Sequence, residues 1–491
     1  MLWLIALSAL LRLALAGLLG LSVDESYSVA ISRQLALSYF DHPPLHLWLV
    51  GLWARLLGSE QPLLLRLPDI VMFAASTWLM YRLTASVWGE KAGLWAALAL
   101  NLAPLFTLNA AGGILPDGPL TLFALLAVQC FILAIRAPQS SARALAWWLA
   151  AGAAAGLALL SKYTAIFVPL SLGLYLLSCR RALLATAGPW LAALLAVVLF
   201  APVLLWNHAH HWASFAFQGA RALPKGLRLA GAAVEVAGQL LYLLPWIALA
   251  LVHALARALR CGPHDEAAWL FACLAAPALA TFALIGLWAP VLPHWPAIGW
   301  LFTCPLLGRE LTALAEKPPR LLQGSATATA AFLLCLIAVF TSQAATGWIE
   351  HLAPAFAAHD PTLDLLDWRD MRPPVDALRR RRPGRFVATV SWIDAGKADY
   401  ALGGDIPVLC ACADPRQFAY QYDSHAFVGA DALIVVAAGR PDWLQRAAPY
   451  FRRIVPGPDW VLTRAGRPAL TLHTADGFGF RAGELGSRGR G

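Results

Sequence analysis

Two adjacent carboxylates, Asp24 and Glu25, stand directly after an apolar run, Leu2 to Leu21, that is long enough to cross a bilayer. Farther along, Tyr39-Phe40-Asp41-His42-Pro43-Pro44-Leu45 brings a third acid and an imidazole into a rigid turn. A carboxylate held at the membrane surface can take the proton of an attacking hydroxyl, and a second can orient the first or hold the acceptor. The plain alternative is a solvated loop. Asp117, in Leu115-Pro116-Asp117-Gly118-Pro119, either caps the helix that follows or joins such a site. Lys162, in Ser161-Lys162-Tyr163-Thr164, either snorkels to the interface or holds a lipid phosphate as a point charge. His42, Arg221 and Lys225 are further candidates for that phosphate. Fixed cations there would stabilise a departing phosphate more in the transition state than before it. Trp206-Asn207-His208-Ala209-His210-His211-Trp212 offers three imidazoles in a short stretch. His208, His210 and His211 are thus weak candidates for a divalent metal, without spacing of the His-Glu-x-x-His kind. Interfacial tryptophan among polar loop residues reads the same stretch without a metal, and no other cofactor is implied.

The elements that must carry these groups are membrane helices. The chain has 491 residues, is 59% hydrophobic and only 13% charged, which no soluble domain of this size needs. The net charge of +9 is spread over short loops and the tail, so nucleic acid is not the partner it points to. Apolar runs give eleven spans: 2–21, 63–81, 92–108, 118–135, 145–160, 164–178, 184–205, 233–255, 267–287, 295–308 and 323–343. The first is read as a span rather than a cleaved leader, because it lacks a basic start and contains Arg12. Arg12 in mid-helix should face protein rather than lipid.

Basic residues set the orientation. Arg82, Lys91, Arg136, Arg143, Arg180, Arg181, Arg257, Arg260, Arg309, Lys317 and Arg320 crowd one set of short loops, which is expected to be cytoplasmic. The acids of the first loop, Asp117, Lys162, the stretch from Trp206 to Arg228 and Pro293-His294-Trp295 then share the outer face. In the first loop, residues 25–37 and 45–57 read as interfacial helices parted by Pro43-Pro44. Beyond residue 343 the composition changes. Strands at 386–390, 406–409 and 432–436 with helices at 394–402 and 441–451 predict a small α/β domain over 344–476. Residues 477–491, rich in Gly and Arg, are expected to be disordered, and Arg379 to Arg382 to form a solvated or headgroup-facing surface. Six of the eight cysteines lie in or beside apolar runs, and Cys410 and Cys412 are too close in sequence to predict an easy disulfide.

Taken in order, several pieces resemble glycosyltransferase family 39/83. This group contains the dolichyl-phosphate-mannose protein mannosyltransferases and the aminoarabinose transferase of lipid A. The pieces are Asp24-Glu25-Ser26-Tyr27, the Asp41-His42-Pro43-Pro44 turn, Arg66-Leu67-Pro68 and Leu115-Pro116-Asp117-Gly118-Pro119. They continue with Ser161-Lys162-Tyr163-Thr164, Trp206-Asn207 with His210 and Trp212, Phe217-Gln218 and His294-Trp295-Pro296. The resemblance implies a GT-C fold in residues 1–343. It also implies an inverting transferase that moves a sugar from a polyprenyl phosphate to a lipid, glycan or protein acceptor, on the outer face of a bacterial inner membrane. Asp24 matches the family's key acid and Asp117 its second acidic position, so Asp24, Glu25 and Asp117 are the candidate catalytic residues. Tyr27, Asp41, His42, Arg66, Lys162, Tyr163, Asn207, His210, Arg221 and His294 are the candidates for binding substrate. His42 stands where the aminoarabinose branch carries a phosphate-binding lysine. A transporter of lipid-linked sugars is the competing class, but it calls for polar or broken helices at mid-membrane.

Overall fold

The structure, a computed structural model, describes residues 1–109, 113–224, 226–314, 319–381 and 385–482. Lys225, Lys317 and Arg382 lie outside the described residues. Helix α1 (Leu2–Leu18) is followed after a sharp elbow by α2 (Val23–Ser32), the two axes meeting at 82°. A capping box starts α2: the Glu25 N–H donates to Ser22 Oγ, and the Ser22 N–H donates to Glu25 Oε2 at 2.8 Å. Helix α3 (Leu45–Leu57) begins right after Pro43-Pro44 and ends at Gly58, whose φ of +60° an L-residue rarely adopts.

The membrane part continues through α4 (Pro62–Trp88), α5 (Glu90–Leu102), α6 (Pro104–Asn109), α7 (Asp117–Arg136), α8 (Ala142–Ser161) and α9 (Phe167–Cys179). It is completed by α10 (Ala187–Ala209), α11 (Ala213–Ala220), α12 (Leu229–Leu243), α13 (Pro245–Cys261), α14 (Glu266–Gly286), α15 (Ala297–Leu314) and α16 (Pro319–Thr346). Among the described residues six helices are long and apolar enough to cross a membrane, or eight if each bent pair is one span. The other expected spans fall on shorter pieces. The run 233–255 divides at Leu244, where φ is +67° and Pro245 opens α13, so the axis turns by 102°. The run 92–108 breaks before Pro104.

The helical core joins α4, α5, α7, α8, α10, α14 and α15 around Phe73, Met80, Phe131, Trp148, Phe271 and Phe302. At Gly152 a methyl group would sit 2.3 Å from the Ala192 carbonyl oxygen, so glycine is what lets α8 and α10 touch backbone to backbone. Arg12 is 5% exposed; one guanidinium nitrogen donates to the Ser8 carbonyl at 2.9 Å and the group lies 4.4 Å from the Phe73 ring centre. The expectation that it faces protein holds.

After α16 come the short α17 (Trp348–Leu352), α18 (Arg372–Arg381), β1 (Phe386–Thr389), α19 (Trp392–Leu402) and β2 (Val408–Cys410). Then follow α20 (Phe418–Gln421), β3 (Ala432–Ala437), α21 (Trp443–Ala447), β4 (Phe451–Pro456), β5 (Trp460–Arg464) and β6 (Arg467–Phe480). The sheet runs β2-β1-β3-β6-β4, with β5 on β6. Its first three strands are parallel, as expected of an α/β unit, and β6 lies antiparallel to β3, β4 and β5. The last three strands were not expected. Prolines at 456, 458 and 468 mask β4 and β6, and the β5–β6 hairpin turns on Ala465-Gly466, both at positive φ, without the usual Asn-Gly. The helix expected over 441–451 is cut short by Pro449, and Phe451 already begins a strand. Residues 477–480, placed in the disordered tail, complete β6; residues 483–491 lie outside the described part. Arg380 and Arg381 are exposed at the end of α18.

Cys410 and Cys412 are joined by a disulfide, contrary to expectation. The chain leaves β2 at Cys410 and contracts, so the two Cα atoms are 5.4 Å apart, within the ordinary range for the bond.

Candidate active site

Glu25 lies at the elbow of α1 and α2, buried to 3% exposure. Its carboxylate accepts two bonds from Arg66, both at 2.7 Å, and further bonds from the Ser22 and Ile114 N–H groups. Arg66 also donates to the Leu19 and Gly20 carbonyls at 2.8 Å, which α1 leaves free at its end. Burial opposes the charge on Glu25, but Arg66 and the backbone N–H groups outweigh it and hold the carboxyl below its ordinary value. Every oxygen lone pair that could do chemistry is thus engaged. Glu25, expected to be catalytic, and Arg66, expected to bind substrate, together clamp the elbow.

Asp24 points the other way, into a cavity of about 450 Å³. Solvent reaches it there, yet the surrounding protein desolvates it enough to raise its carboxyl pKa, against the pull of Arg416. Asp41 shares the cavity. Its Oδ1 accepts from the Tyr27 hydroxyl at 3.1 Å, its main-chain oxygen accepts from Gln218 at 2.7 Å, and burial raises its pKa. The start of α7 and the end of α8 contribute Asp117 and Lys162, whose Nζ lies 2.9 and 2.8 Å from the two carboxylate oxygens. Both are buried, so Asp117 spends its carboxylate on Lys162 rather than on capping α7.

Tyr163, Arg221 and His294 line the same cavity, from the end of α8, the end of α11 and the link between α14 and α15. Arg221 lies over the Trp295 ring at 4.4 Å. His42, expected to be a cation, is pushed down to about 3, by burial first and then by the positive charges of Lys162 and Arg416. His294 falls to about 4 for the same main reason. Both imidazoles are neutral at physiological pH and can offer hydrogen bonds but no charge.

Besides Glu25 and Arg66, two more expected residues stay outside this cavity. Asn207 is fully buried and caps α11, its side-chain oxygen accepting from the Ser214 and Phe215 N–H groups at 3.2 and 3.3 Å. His210 stacks on Trp206 at 4.1 Å, and its Nδ1 lies 2.7 Å from the Trp206 carbonyl oxygen. His208 and His211 are exposed, and among the described residues no group of three or more His, Cys, Asp or Glu side chains is placed to hold a metal. The short imidazole stretch therefore does not converge: it straddles the end of α10, where successive side chains point apart.

The C-terminal domain closes the cavity with residues that sequence reasoning missed. Trp392, Ile393 and Arg416 line it. Helix α19 lies along α2, and Lys397 reaches past it to donate to the Leu21 carbonyl at 2.6 Å and the Leu366 carbonyl at 3.1 Å. Gln417 donates its N–H to the Tyr27 hydroxyl at 3.1 Å and accepts the Phe40 N–H at 2.8 Å. Arg33, at the end of α2, bonds Glu60 and the Asp399 carbonyl. A lone arginine in Asp414-Pro415-Arg416 carries no signal until the fold brings it to the first loop. On the opposite side of the elbow a second cavity, of about 430 Å³, runs between α1 and α16; its walls are mostly apolar, and Glu25 and Arg66 lie at one end.

Residues 41–206 match the family described as dolichyl-phosphate-mannose-protein mannosyltransferase. No curated protein sequence matches the chain. Among solved structures the chain is similar to ArnT from Cupriavidus metallidurans bound to undecaprenyl phosphate, at 16% identity and a TM-score of 0.64. That likeness covers 96% of this chain and 97% of the other. It is also similar to the archaeal oligosaccharyltransferase AglB from Archaeoglobus fulgidus, in complex with an inhibitory peptide and a dolichol-phosphate. Here the identity is 12%, the TM-score 0.51, and the cover 91% of this chain and 71% of that one. The arabinofuranosyltransferase AftD from Mycobacteria gives 14% and 0.52, with 96% of this chain and 41% of that one covered. The chain therefore has the GT-C fold of membrane glycosyltransferases, with a small strand-containing domain at its C-terminal end and the mannosyltransferase family pattern in residues 41–206.

Proposed function

We propose that the chain transfers a sugar from a polyprenyl-phosphate carrier to a lipid, glycan or protein acceptor, with inversion, on the outer face of a bacterial inner membrane. The observation that carries this reading is the pairing, in one cavity, of an uncommitted carboxylate, Asp24, with the guanidinium of Arg221 and the Asp117–Lys162 ion pair. In this reading the acceptor hydroxyl gives its proton to Asp24 and attacks the anomeric carbon. The bond from that carbon to the phosphate oxygen breaks, and the phosphate leaves with the electron pair. A single displacement inverts the centre. The raised pKa of Asp24 makes it a better base than an aspartate at its ordinary value, and cations facing the phosphate stabilise the charge that grows on it. The ArnT structure with undecaprenyl phosphate supports the carrier class, and the apolar cavity beside the elbow suits a substrate that arrives from the bilayer. The Cys410–Cys412 disulfide supports an oxidising, outer-side location for the last domain. Polar groups collected in one cavity, instead of along a path through mid-membrane, favour transfer over carriage across the membrane.

The test is turnover by purified protein in lipid, with a panel of polyprenyl-phosphate sugars and membrane extracts as acceptor. Wild type is expected to form product, and Asp24→Asn to lose roughly 10²–10⁴ of the rate with an unchanged thermal midpoint. Turnover at the wild-type rate in Asp24→Asn would refute the assignment.

A further inference from the structure

We infer that Arg416, carried by the C-terminal domain, is a donor-binding residue that holds the phosphate of the carrier together with Arg221. The inference rests on the polyprenyl-phosphate reading above. After β2 and the disulfide, the chain crosses to the first loop as Asp414-Pro415-Arg416-Gln417. Arg416 has φ +49°, a backbone state unusual for a residue with a side chain, and Gln417 fastens the turn to Tyr27 and Phe40. Strained backbone that is pinned on one side is found where a side chain must be aimed.

Here the guanidinium lies flat against the Trp392 ring, 3.7 Å from its centre, and within 5.9 Å of the Phe217 ring. Its carboxylate contacts are loose: Asp41 Oδ2 at 3.4 Å and Asp414 Oδ2 at 3.7 Å. Arg66, by contrast, holds Glu25 through two bonds at 2.7 Å. Arg221 lines the same cavity as Asp41, its guanidinium 4.4 Å from the centre of the Trp295 ring. Two guanidiniums and the buried Asp41 carboxylate thus line one cavity, while Lys162 is neutralised by Asp117. Arg416 and Arg221 bring planar donors into the cavity beside Asp24 and Asp41, and planar donors suit a phosphate bound by two forks. Each indole covers one face of its guanidinium.

The experiment measures binding of undecaprenyl phosphate to the full chain in lipid nanodiscs, with thermal midpoints recorded alongside. Wild type is expected to bind; Arg416→Ala to bind about tenfold or more weakly, the loss of charge-assisted bonds; and Arg416→Lys to recover part of that loss. Arg416→Ala binding as tightly as wild type would overturn the role of Arg416 and leave the reading of the function standing. Equal losses in the Ala and Lys variants, with lowered thermal midpoints, would also overturn it, because they would show a structural strut. Wild type failing to bind would overturn the polyprenyl-phosphate reading, and the role of Arg416 with it.

Discussion

Asp24 and Glu25 are neighbours of the same charge, and the structure gives them opposite duties. Replacing Glu25 with Gln removes the charge that balances Arg66 at a place where both side chains are at most 4% exposed. The guanidinium keeps its carbonyl partners at Leu19 and Gly20 but loses two ionic bonds, while the Ser22 and Ile114 N–H groups face a weaker acceptor. Breaking a buried pair from one side costs about 3–5 kcal/mol. The cost should appear as a clear fall in thermal midpoint and as faster proteolysis of the α1–α2 elbow. The pair also fixes the acid limit. Because the folded pKa of Glu25 lies below its ordinary 4.5, its stabilisation is complete above that pH and is lost as pH falls through the lowered value. A double change, Glu25→Leu with Arg66→Met, should recover most of the stability, since it leaves no unpaired charge. A Glu25→Gln protein with the wild-type thermal midpoint and no turnover would refute the division of labour between the two acids.

Other outcomes follow from the C-terminal domain. Burial pushes Lys397 down to about 8 from an ordinary 10.5, so between those values the folded chain gives up its proton first and stability rises with pH; Lys397→Met should flatten that rise in thermal melts. Mass mapping of unreduced protein should find Cys410 and Cys412 joined and the remaining cysteines free; free thiols at both would contradict an outer-side domain. A methyl group on Gly396 would stand 3.0 Å from the Tyr27 Cα, so Gly396→Ala should part α19 from α2 and lower turnover along with thermal stability. Unchanged activity there would show that the two helices do not need that contact.

Much of the cavity could be read from residue types. Asp24, Asp41, Asp117 and Lys162 are charges beside apolar runs, and charge at a helix end is costly to keep without a purpose. Their division into reactive and structural groups was not legible, because it depends on partners far away in the chain: Arg66 for Glu25 and Lys162 for Asp117. His42 looked cationic because composition says nothing of burial or of two nearby positive charges. Asn207 looked functional because a polar residue that caps a helix and one that binds a sugar have the same letter. Pro104 and Pro245 were visible as helix breakers, but the angle at which the chain resumes is set by packing, as the bend at Leu244 shows. Arg416 was hidden for the opposite reason: nothing local distinguishes it, and its place comes from Gln417 reaching Tyr27 across the whole length of the chain.

That last contact also governs when the cavity comes into being. A ribosome that has delivered α1 to α15 into the bilayer has delivered Asp24, Asp117 and Lys162, but the wall holding Trp392 and Arg416 is still unmade. It appears only after the segment from β1 to β6 has been made and its sheet has formed. A half-made or truncated copy therefore lacks the completed pocket. Placing one wall of the reaction chamber at the far end of the chain makes synthesis itself the timer for its assembly.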